Sequence, residues 1–505
     1  MTVAGTNYRA KLSVVLAGLV IAGMGVIAIR EAAAQGTTTT GTTTPQNQNN
    51  ITISPTINVT GNGSSNGAGT GTGPFGGFFG NSVVGGVSVN VDGVLKHQDA
   101  TQRDQLLEAR RKALEGTTGE LNQAAKLRMV SLRKLDKAIA QCAKSGKQLP
   151  DDMRYLAGLQ RVQYIFVFPE QHDVVLAGPA DGWKVNEQGE VVGSTTGRPV
   201  LQLDDLIVAL RCADAARHGG VNVSIDPTPE GMQRLNTLLA QQPVVNNNIE
   251  KIAGAMEEAL GPQNISLHGV PDTSRFANVL VLADYQMKRL GMNLDHSPVK
   301  GLTSYLEMVS PTARTVQTPR WWLAPKYDPL ATDGEGLAWE IRGQGVQCMA
   351  EEDYFAANGQ RQVNAKPNPL AQKWADSMTS HFEELAQKDS IFGDLRNCID
   401  LAVAGALVQK ENLLEKVGFQ PQYLLNDKLL IATGYNPPKQ VDSKVSLLKK
   451  GSNYVISVSG GVALQPWEII QKQQKTPDLT PVRTAAAQGR SMTDLVHAGR
   501  WWWDG

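Results

Sequence analysis

Hydrophobic and polar positions divide the chain into three regions. An apolar run without a charge extends from Leu12 to Ile29, and residues 35 to about 80 are dominated by Thr, Asn, Gly and Gln. From about residue 102 onward, apolar residues recur at spacings typical of helices and strands. This pattern predicts a folded body that follows an apolar leader and a low-complexity linker.

The first part of the folded region has a helical pattern. Apolar residues from Leu106 to Leu114 and from Leu121 to Leu127 recur at intervals of three and four, and the "GTTG" at 116–119 separates the two groups. We therefore predict a pair of helices, the second running from about Glu120 to Cys142. Gly146 and Pro150 supply the signals that end it.

Strands and helices alternate in the sequence that follows. "QYIFVFPEQHDVVLAG" holds two apolar segments on either side of "PEQHD", which predicts a β-hairpin. "GVNVSIDPTPEGMQRLNTLLAQQ" predicts a strand, a turn at Asp226-Pro227, and a helix from Pro229. The run "LRNCIDLAVAGALVQKENLL" lacks a polar face, which predicts a buried helix. The pattern indicates an α+β fold in which mixed sheet layers pack with helices.

These patterns predict five segments. We assign a signal peptide to residues 1–34, a low-complexity linker to 35–95, a helical segment to 96–148, a mixed α/β body to 149–470 and a flexible polar tail to 471–505. The tail ends in Trp501-Trp502-Trp503, and such a cluster needs a partner, a membrane interface or the body itself to cover it.

The amino-terminal segment has the order of a secretory signal. Arg9 and Lys11 precede the apolar run, and Ala32-Ala33-Ala34 follows it, so we predict export with cleavage after Ala34. The alternative is an uncleaved membrane anchor, because about 18 to 20 apolar residues can span a bilayer. Both alternatives place the remainder of the chain outside the cytoplasm, either in the periplasm or at the cell surface.

Charge and cysteine content exclude several classes of function. The formal net charge is zero, with 48 basic and 48 acidic residues, which argues against nucleic-acid binding. Cys142, Cys212, Cys348 and Cys398 are widely spaced, so we predict no metal site and no cofactor. Disulfides can form among them in an oxidising compartment, but four separate thiols are the favoured interpretation.

Two groups of residues are candidates for chemistry or binding. Asp226 and Glu230 are four residues apart, and paired carboxylates are what glycoside hydrolysis requires; an N-cap and a first-turn residue are the favoured interpretation. Aromatic residues offer a stacking surface for sugar or peptide, with core packing as the alternative. This second group comprises Trp321, Trp322, Tyr327 and Trp339. Adjacent strand residues face opposite ways, so one of Trp321 and Trp322 is expected to face outward.

Several long strings resemble a known family. They include "LPDDMRYLAGLQRVQYIFVFPEQHDVVLAGPADGW", "GRPVLQLDDLIVALR", "DTSRFANVLVLADYQMKRLGM", "RWWLAPKYDPL", "WEIRGQGVQ" and "LRNCIDLAVAGALV". Together they resemble a family of exported planctomycete proteins that is defined only as a domain of unknown function. The resemblance covers about Leu149 to Leu464, and it implies an exported bacterial protein without assigned catalytic residues.

These observations lead to two functional hypotheses. The first is a non-catalytic, envelope-associated binding or scaffold protein, whose partner is an envelope polymer or another envelope protein. The second is a hydrolase of envelope polysaccharide or peptidoglycan that uses paired carboxylates such as Asp226 and Glu230. The sequence favours the first, because it contains no HExxH, GxSxG or P-loop motif. It does not predict the oligomeric state.

Overall fold

The structure is a computed structural model. It describes residues 51–53, 83–84, 87–90, 92–97, 119–241, 249–310, 316–317, 319–355, 361–364, 368–450, 452–456 and 458–505, together with 104, 107–108, 110–112, 114 and 117. The predicted signal peptide and most of the predicted linker lie outside these residues, as does most of the first predicted helix. None of the helices in the described part is long and apolar enough to cross a membrane.

The secondary structure is an α+β mixture, as predicted. The strands are β1 Ile51–Thr52, β2 Val83–Val84, β3 Val87–Val89, β4 Leu95–His97, β5 Ala125–Ser131, β6 Tyr164–Phe168, β7 Asp173–Ala180, β8 Trp183–Val185, β9 Val191–Gly193, β10 Val221–Asp226, β11 Gln263–His268, β12 Val316–Gln317, β13 Pro319–Lys326, β14 Leu330–Thr332, β15 Ala338–Glu340, β16 Gly345–Phe355, β17 Arg361–Asn364, β18 Leu430–Ile431, β19 Gln440–Val441, β20 Ser446–Lys450, β21 Ser452–Ile456, β22 Ser459–Leu464, β23 Gln473–Lys475 and β24 Trp502–Asp504.

The α-helices are connected to these strands in alternation over much of the chain. They are α1 Leu132–Lys144, α2 Asp151–Arg154, α3 Leu203–Cys212, α4 Pro229–Gln241, α5 Ile249–Leu260, α6 Arg275–Gly291, α7 Tyr305–Met308, α8 Pro369–Ser380, α9 Phe382–Lys388, α10 Ser390–Lys410, α11 Leu413–Lys416, α12 Pro466–Gln471 and α13 Leu479–Val496.

Two seven-stranded mixed sheets organise the body. Sheet I has the order β17-β16-β13-β22-β10-β11-β19, and sheet II has the order β23-β14-β15-β6-β7-β5-β24. In sheet I, β13 and β22 run parallel, while the other neighbouring pairs are antiparallel. Short additional sheets of two or three strands flank them. Both large sheets therefore join strands that are far apart in the sequence.

One hydrophobic core extends across the inner faces of both sheets. It includes Val223 and Trp321 of sheet I together with Ile165 and Leu176 of sheet II. Helix α10 lies within this core, and every residue from Ser390 to Val408 is buried. A helix without a polar face needs such surroundings, so the prediction of a buried helix here is confirmed.

The prediction of a helix from Glu120 to Cys142 is wrong in its first half. Residues Ala125–Ser131 form β5, and the helix α1 begins only at Leu132, where the Ser131 hydroxyl accepts a hydrogen bond from the Lys134 amide. β5 pairs with β7 on one side and with β24 on the other. These distant partners satisfy the backbone groups of the segment, and a helical pattern in the local sequence does not reveal them.

The carboxyl-terminal segment also differs from the predicted flexible tail. Residues 479–496 form α13, and β24 adds an edge strand to sheet II. The buried guanidinium of Arg490 donates to Asp173 at 2.6 Å, and Arg128 donates to both oxygens of Asp504. All three tryptophans from Trp501 to Trp503 are buried against the body, which is one of the three ways of covering them that the sequence left open.

Candidate functional site

One face of sheet I is open to solvent and polar. In β10 the residues Val221, Val223 and Ile225 are buried in the core, so the alternate residues Asn222, Ser224 and Asp226 point to the opposite side. Strand β11 continues this face with Asn264, Ser266 and His268, all three of which are exposed. We call the solvent side of strands β16, β13, β22, β10 and β11 the open face.

The strand registers define a row of residues that crosses the open face. Met349 pairs with Trp322, Trp322 with Gly461, Gly461 with Ser224, and Ser224 with Ser266. The row therefore begins with two large side chains and continues over three small ones. The hydroxyls of Ser224 and Ser266 make no hydrogen bond within the described part of the chain.

The indole of Trp322 lies across the strands. Its Nε1–H donates to Glu351 on β16 at 2.8 Å. On the other side, a Cβ atom at Gly461 of β22 would lie 2.8 Å from Cζ3 of the same ring. The ring thus extends from one neighbouring strand to the other, over a position that only glycine leaves open. Because it is half-buried and hydrogen-bonded, the ring is held in one orientation.

Arg320 holds two carboxylates beside this ring. Its Nη1 lies 3.1 Å from Oδ1 of Asp226, its Nε lies 3.5 Å from Oε2 of Glu351, and its guanidinium carbon lies 4.4 Å from the centre of the Trp322 ring. The arginine is nearly fully buried, whereas both carboxylates are partly exposed. The guanidinium is therefore neutralised by internal partners rather than presented to solvent.

A second ionic pair supports this end of the sheet from the core side. The buried ammonium of Lys288 on α6 donates to Asp284 at 2.8 Å and to the backbone carbonyls of Ile225 and Gly460 at 3.0 and 3.1 Å. Burial lowers the pKa of Lys288, against the attraction of Asp284, and burial raises the pKa of Asp284 to about 6. Lys288 joins β10 to β22 at the end where Arg320 and Asp226 meet.

A comparison with protein families matches part of this site. Residues 223–305 match the family described as Protein of unknown function (DUF1598). The chain contains a DUF1598 domain. This domain contributes most of β10, all of β11 and helices α4 to α6, and hence Asp226, Ser224, Ser266 and the Lys288–Asp284 pair. No curated protein and no solved structure matches the chain.

The two predicted carboxylates have different surroundings within the DUF1598 domain. Asp226 was interpreted as the N-cap of α4, but that role belongs to Thr228, whose hydroxyl accepts from the Gly231 amide at 3.0 Å. Asp226 instead pairs with Arg320, 94 positions further along the chain. Glu230 is exposed on the first turn of α4. The ion pair with a buried arginine indicates a structural role for Asp226.

The predicted aromatic surface contains Trp322 alone. Trp321 points to the opposite side of β13, is fully buried, and packs against Trp374 and Tyr305 at centroid distances of 4.1 and 5.3 Å. Trp339 is buried in sheet II. The alternation of adjacent strand residues accounts for the different positions of Trp321 and Trp322. The expectation of one combined stacking surface is therefore wrong for these two buried residues.

Tyr327 belongs to a separate ionic cluster between the sheets. Its hydroxyl donates to Asp400 at 2.6 Å, and Arg161 donates to both oxygens of the same carboxylate at 2.9 and 3.2 Å. Burial and the Asp400 charge raise the pKa of Tyr327 well above its usual range. Arg396 lies close by and pairs with Glu383. These matched charges connect α10 to the segments that precede β6 and follow β13, and we interpret the cluster as structural.

The cysteine, histidine and acidic side chains form no metal site within the described residues. All four cysteines are free thiols, with Cys348 and Cys398 buried. No group of three His, Cys, Asp or Glu side chains is placed to hold a metal ion in this part of the chain. Two small clefts, of about 150 Å³ beside His296 and Glu307 and about 370 Å³ beside Trp501 and Arg500, lie away from the open face.

Most residues of the open face are not evident as site residues from the sequence alone. Arg320, Glu351, Ser224 and Ser266 were not proposed as site residues. The segments "VNVSID" and "QNISLH" do indicate this face, because their alternating apolar and polar residues predict strands with one solvent-exposed side. The partnership of Arg320 with Asp226 has no comparable signal in the local sequence.

Proposed function

We propose that this chain is an exported, non-catalytic binding protein of a bacterial envelope, and that the open face binds an envelope polymer. The observation that carries the proposal is the position of Trp322. Its ring is fixed by Glu351 and Gly461 on a face whose other described side chains are mostly polar or charged. A pre-oriented aromatic ring among polar groups is a common feature of binding sites for polar ligands.

Rigidity of the platform supports a binding role. Trp322 lies on a central strand of a seven-stranded sheet. On the core side of that sheet, the Lys288–Asp284 pair links β10 to β22. Binding groups on such elements lose little conformational entropy when a ligand arrives. The exposed polar residues of β11 extend the surface beyond the ring, as contact with a polymer requires.

A hydrolase of envelope polysaccharide or peptidoglycan is the alternative proposal. It needs two carboxylates on either side of a scissile bond, one of which carries a proton at the working pH. Among the described side chains, the carboxylates of Asp226 and Glu351 both lie against the buried guanidinium of Arg320, so each is already engaged as the partner of an internal cation. This arrangement supports binding over general acid catalysis.

Binding measurements with a matched pair of variants test the proposal. We expect the protein to bind isolated envelope polysaccharide or peptidoglycan, and Trp322→Ala to weaken binding at least about tenfold, as for a central aromatic contact. Leu495→Ala removes an exposed apolar side chain on α13, away from the open face, and serves as the control. Equal affinities for the two variants, or no binding by the parent protein, would refute the proposal.

The same samples distinguish binding from hydrolysis. Incubation with the polymer should release no new reducing ends. If reducing ends do appear and Asp226→Asn abolishes their release, the hydrolase alternative replaces the binding proposal.

A further inference from the structure

We infer that the ligand of the open face is an uncharged, hydroxyl-rich linear glycan that lies across the strands, and that Asp226 excludes acidic polymers by holding Arg320. This inference rests on the proposed function and specifies the ligand of the same site. It assigns Asp226 as a specificity-determining residue.

The row of small residues gives the ligand its path. Beyond Trp322, the positions Gly461, Ser224 and Ser266 follow each other on β22, β10 and β11. Adjacent strands are about 4.8 Å apart, so the distance from β13 to β11 is roughly 14 Å. Side chains larger than those of the row lie on both sides of it. Asp226 and Asn264 are on one side, and Asn222 and His268 are on the other. A shallow path with a flat ring at one end fits an extended chain of several units.

The hydrogen-bonding groups along this path match sugar hydroxyls. Ser224 and Ser266 each offer a hydroxyl that both donates and accepts. The amide nitrogen of Asn222 already donates to the Gly219 carbonyl at 2.6 Å, and the amide oxygen of Asn264 accepts from Gln440 at 3.3 Å, so Asn222 offers chiefly its oxygen and Asn264 its nitrogen. Such groups pair with neutral hydroxyls without a charge on either side. The apolar ring of Trp322, extended by the exposed Met349, can pack against the C–H side of a sugar ring.

The charges of the open face favour a neutral ligand. Among the side chains that the structure describes there, the cations Arg320 and Lys326 are accompanied by the anions Asp226 and Glu351. Both anions lie next to Arg320 and remain partly exposed. An acidic polymer that approached Arg320 would meet these carboxylates first, and like charges at close range are strongly unfavourable.

Three variants separate the parts of this inference. Asp226→Asn removes one anion and leaves an amide of similar shape. Glu230→Gln makes the same charge change four positions away, on an exposed first turn, and is the matched control. Ser266→Trp fills the path at an exposed position, with Ser491→Trp on α13 as its control.

The experiment measures dissociation constants for neutral linear glucans and for polyuronates of matched length. We expect the parent protein and Glu230→Gln to prefer the neutral chains, with an affinity that rises with length until the path is filled. We expect neutral binding to change little between about 0.05 and 0.5 M salt. Asp226→Asn should shift the preference toward polyuronates by about tenfold, and Ser266→Trp should weaken binding of the longer chains alone.

The outcomes distinguish this inference from the proposed function. If binding depends on Trp322 but the parent protein prefers polyuronates, the proposed function stands and the neutral-glycan inference fails. If Asp226→Asn retains the thermal unfolding midpoint of Glu230→Gln yet leaves the preference unchanged, the specificity role of Asp226 fails. Glu351→Gln, which removes the other anion beside Arg320, provides a second test of that role. If no ligand responds to Trp322→Ala, the proposed function itself fails.

Discussion

Asp394 provides a quantitative prediction about the buried core. This carboxylate on α10 accepts from Arg275 at 2.8 Å, and Arg275 also donates to Asp205, so one guanidinium serves two buried carboxylates. Burial raises the pKa of Asp394 from 3.8 to about 7, against the attraction of Arg275, and the Glu190 charge adds to the rise. The proton is therefore bound more tightly in the folded state than in the unfolded state.

The sign and size of the effect follow from that difference. Between the unfolded and folded pKa values the folded protein holds more protons, so its stability falls as the pH rises. Each unit of pKa difference corresponds to about 1.4 kcal/mol, which gives on the order of 4 kcal/mol over the whole interval. Between about pH 5 and pH 8 the expected loss is roughly 3 kcal/mol.

Urea unfolding of three proteins measures this contribution. Asp394→Asn removes the titrating group. Between about pH 5 and pH 8, the decrease in the free energy of unfolding should therefore be roughly 3 kcal/mol smaller for this variant than for the parent protein. The comparison between proteins is necessary because burial also raises the pKa of Asp204 and Asp389 to about 6. Asp442→Asn, at an exposed position, is the control and should follow the parent. Parallel pH profiles for the parent and Asp394→Asn would refute the reasoning.

Further predictions concern other parts of the molecule. Trp503→Ala should cost about 3 to 5 kcal/mol of unfolding free energy in a calorimetric or urea assay, because the ring is buried between α13 and sheet II; a loss below about 1 kcal/mol would contradict this docking. Lys288→Met should cost about 3 to 5 kcal/mol, since Asp284 would remain buried without its cation, and Asp284→Asn in the same chain should recover part of that loss. Thiol titration of the unfolded protein without reductant should give four reactive groups per chain, and two or none would indicate disulfides. Protein recovered from an exporting bacterial host should begin at Gln35, and a retained leader would indicate an anchor.

The periodicity of apolar residues correctly predicted those elements whose sequence pattern matches their burial in the fold. The hairpin of β6 and β7 and the helix α10, which has no polar face, are such cases. Both faces of these elements are buried, so a predominantly apolar sequence identifies them without knowledge of their partners. β5 was predicted as a helix because its spacing of basic and apolar residues fits either structure. Its partner β24 lies at the other end of the chain.

The candidate site was predictable only in part for the same reason. Alternation correctly required Trp321 and Trp322 to face opposite ways, but burial of Trp321 depends on Trp374, which lies on α8. Asp226 followed by a helix has the pattern of an N-cap, and nothing nearby indicates Arg320 on β13. Residues that act through partners about 50 or more positions away are not accessible to short-range pattern analysis. The polar tail was likewise predicted as flexible because its anchors, Asp173 and Arg128, lie over 300 positions away from it.

Oxidative side-chain footprinting with and without envelope glycan tests the central claim most directly. Trp322 and Met349 lie on the proposed path, while Met492 is an exposed internal control on α13. We predict that saturating ligand protects Trp322 and Met349 from oxidation and leaves Met492 unchanged. Oxidation of Trp322 and Met349 at the same rate with and without bound ligand would contradict the assignment of the open face as the binding surface.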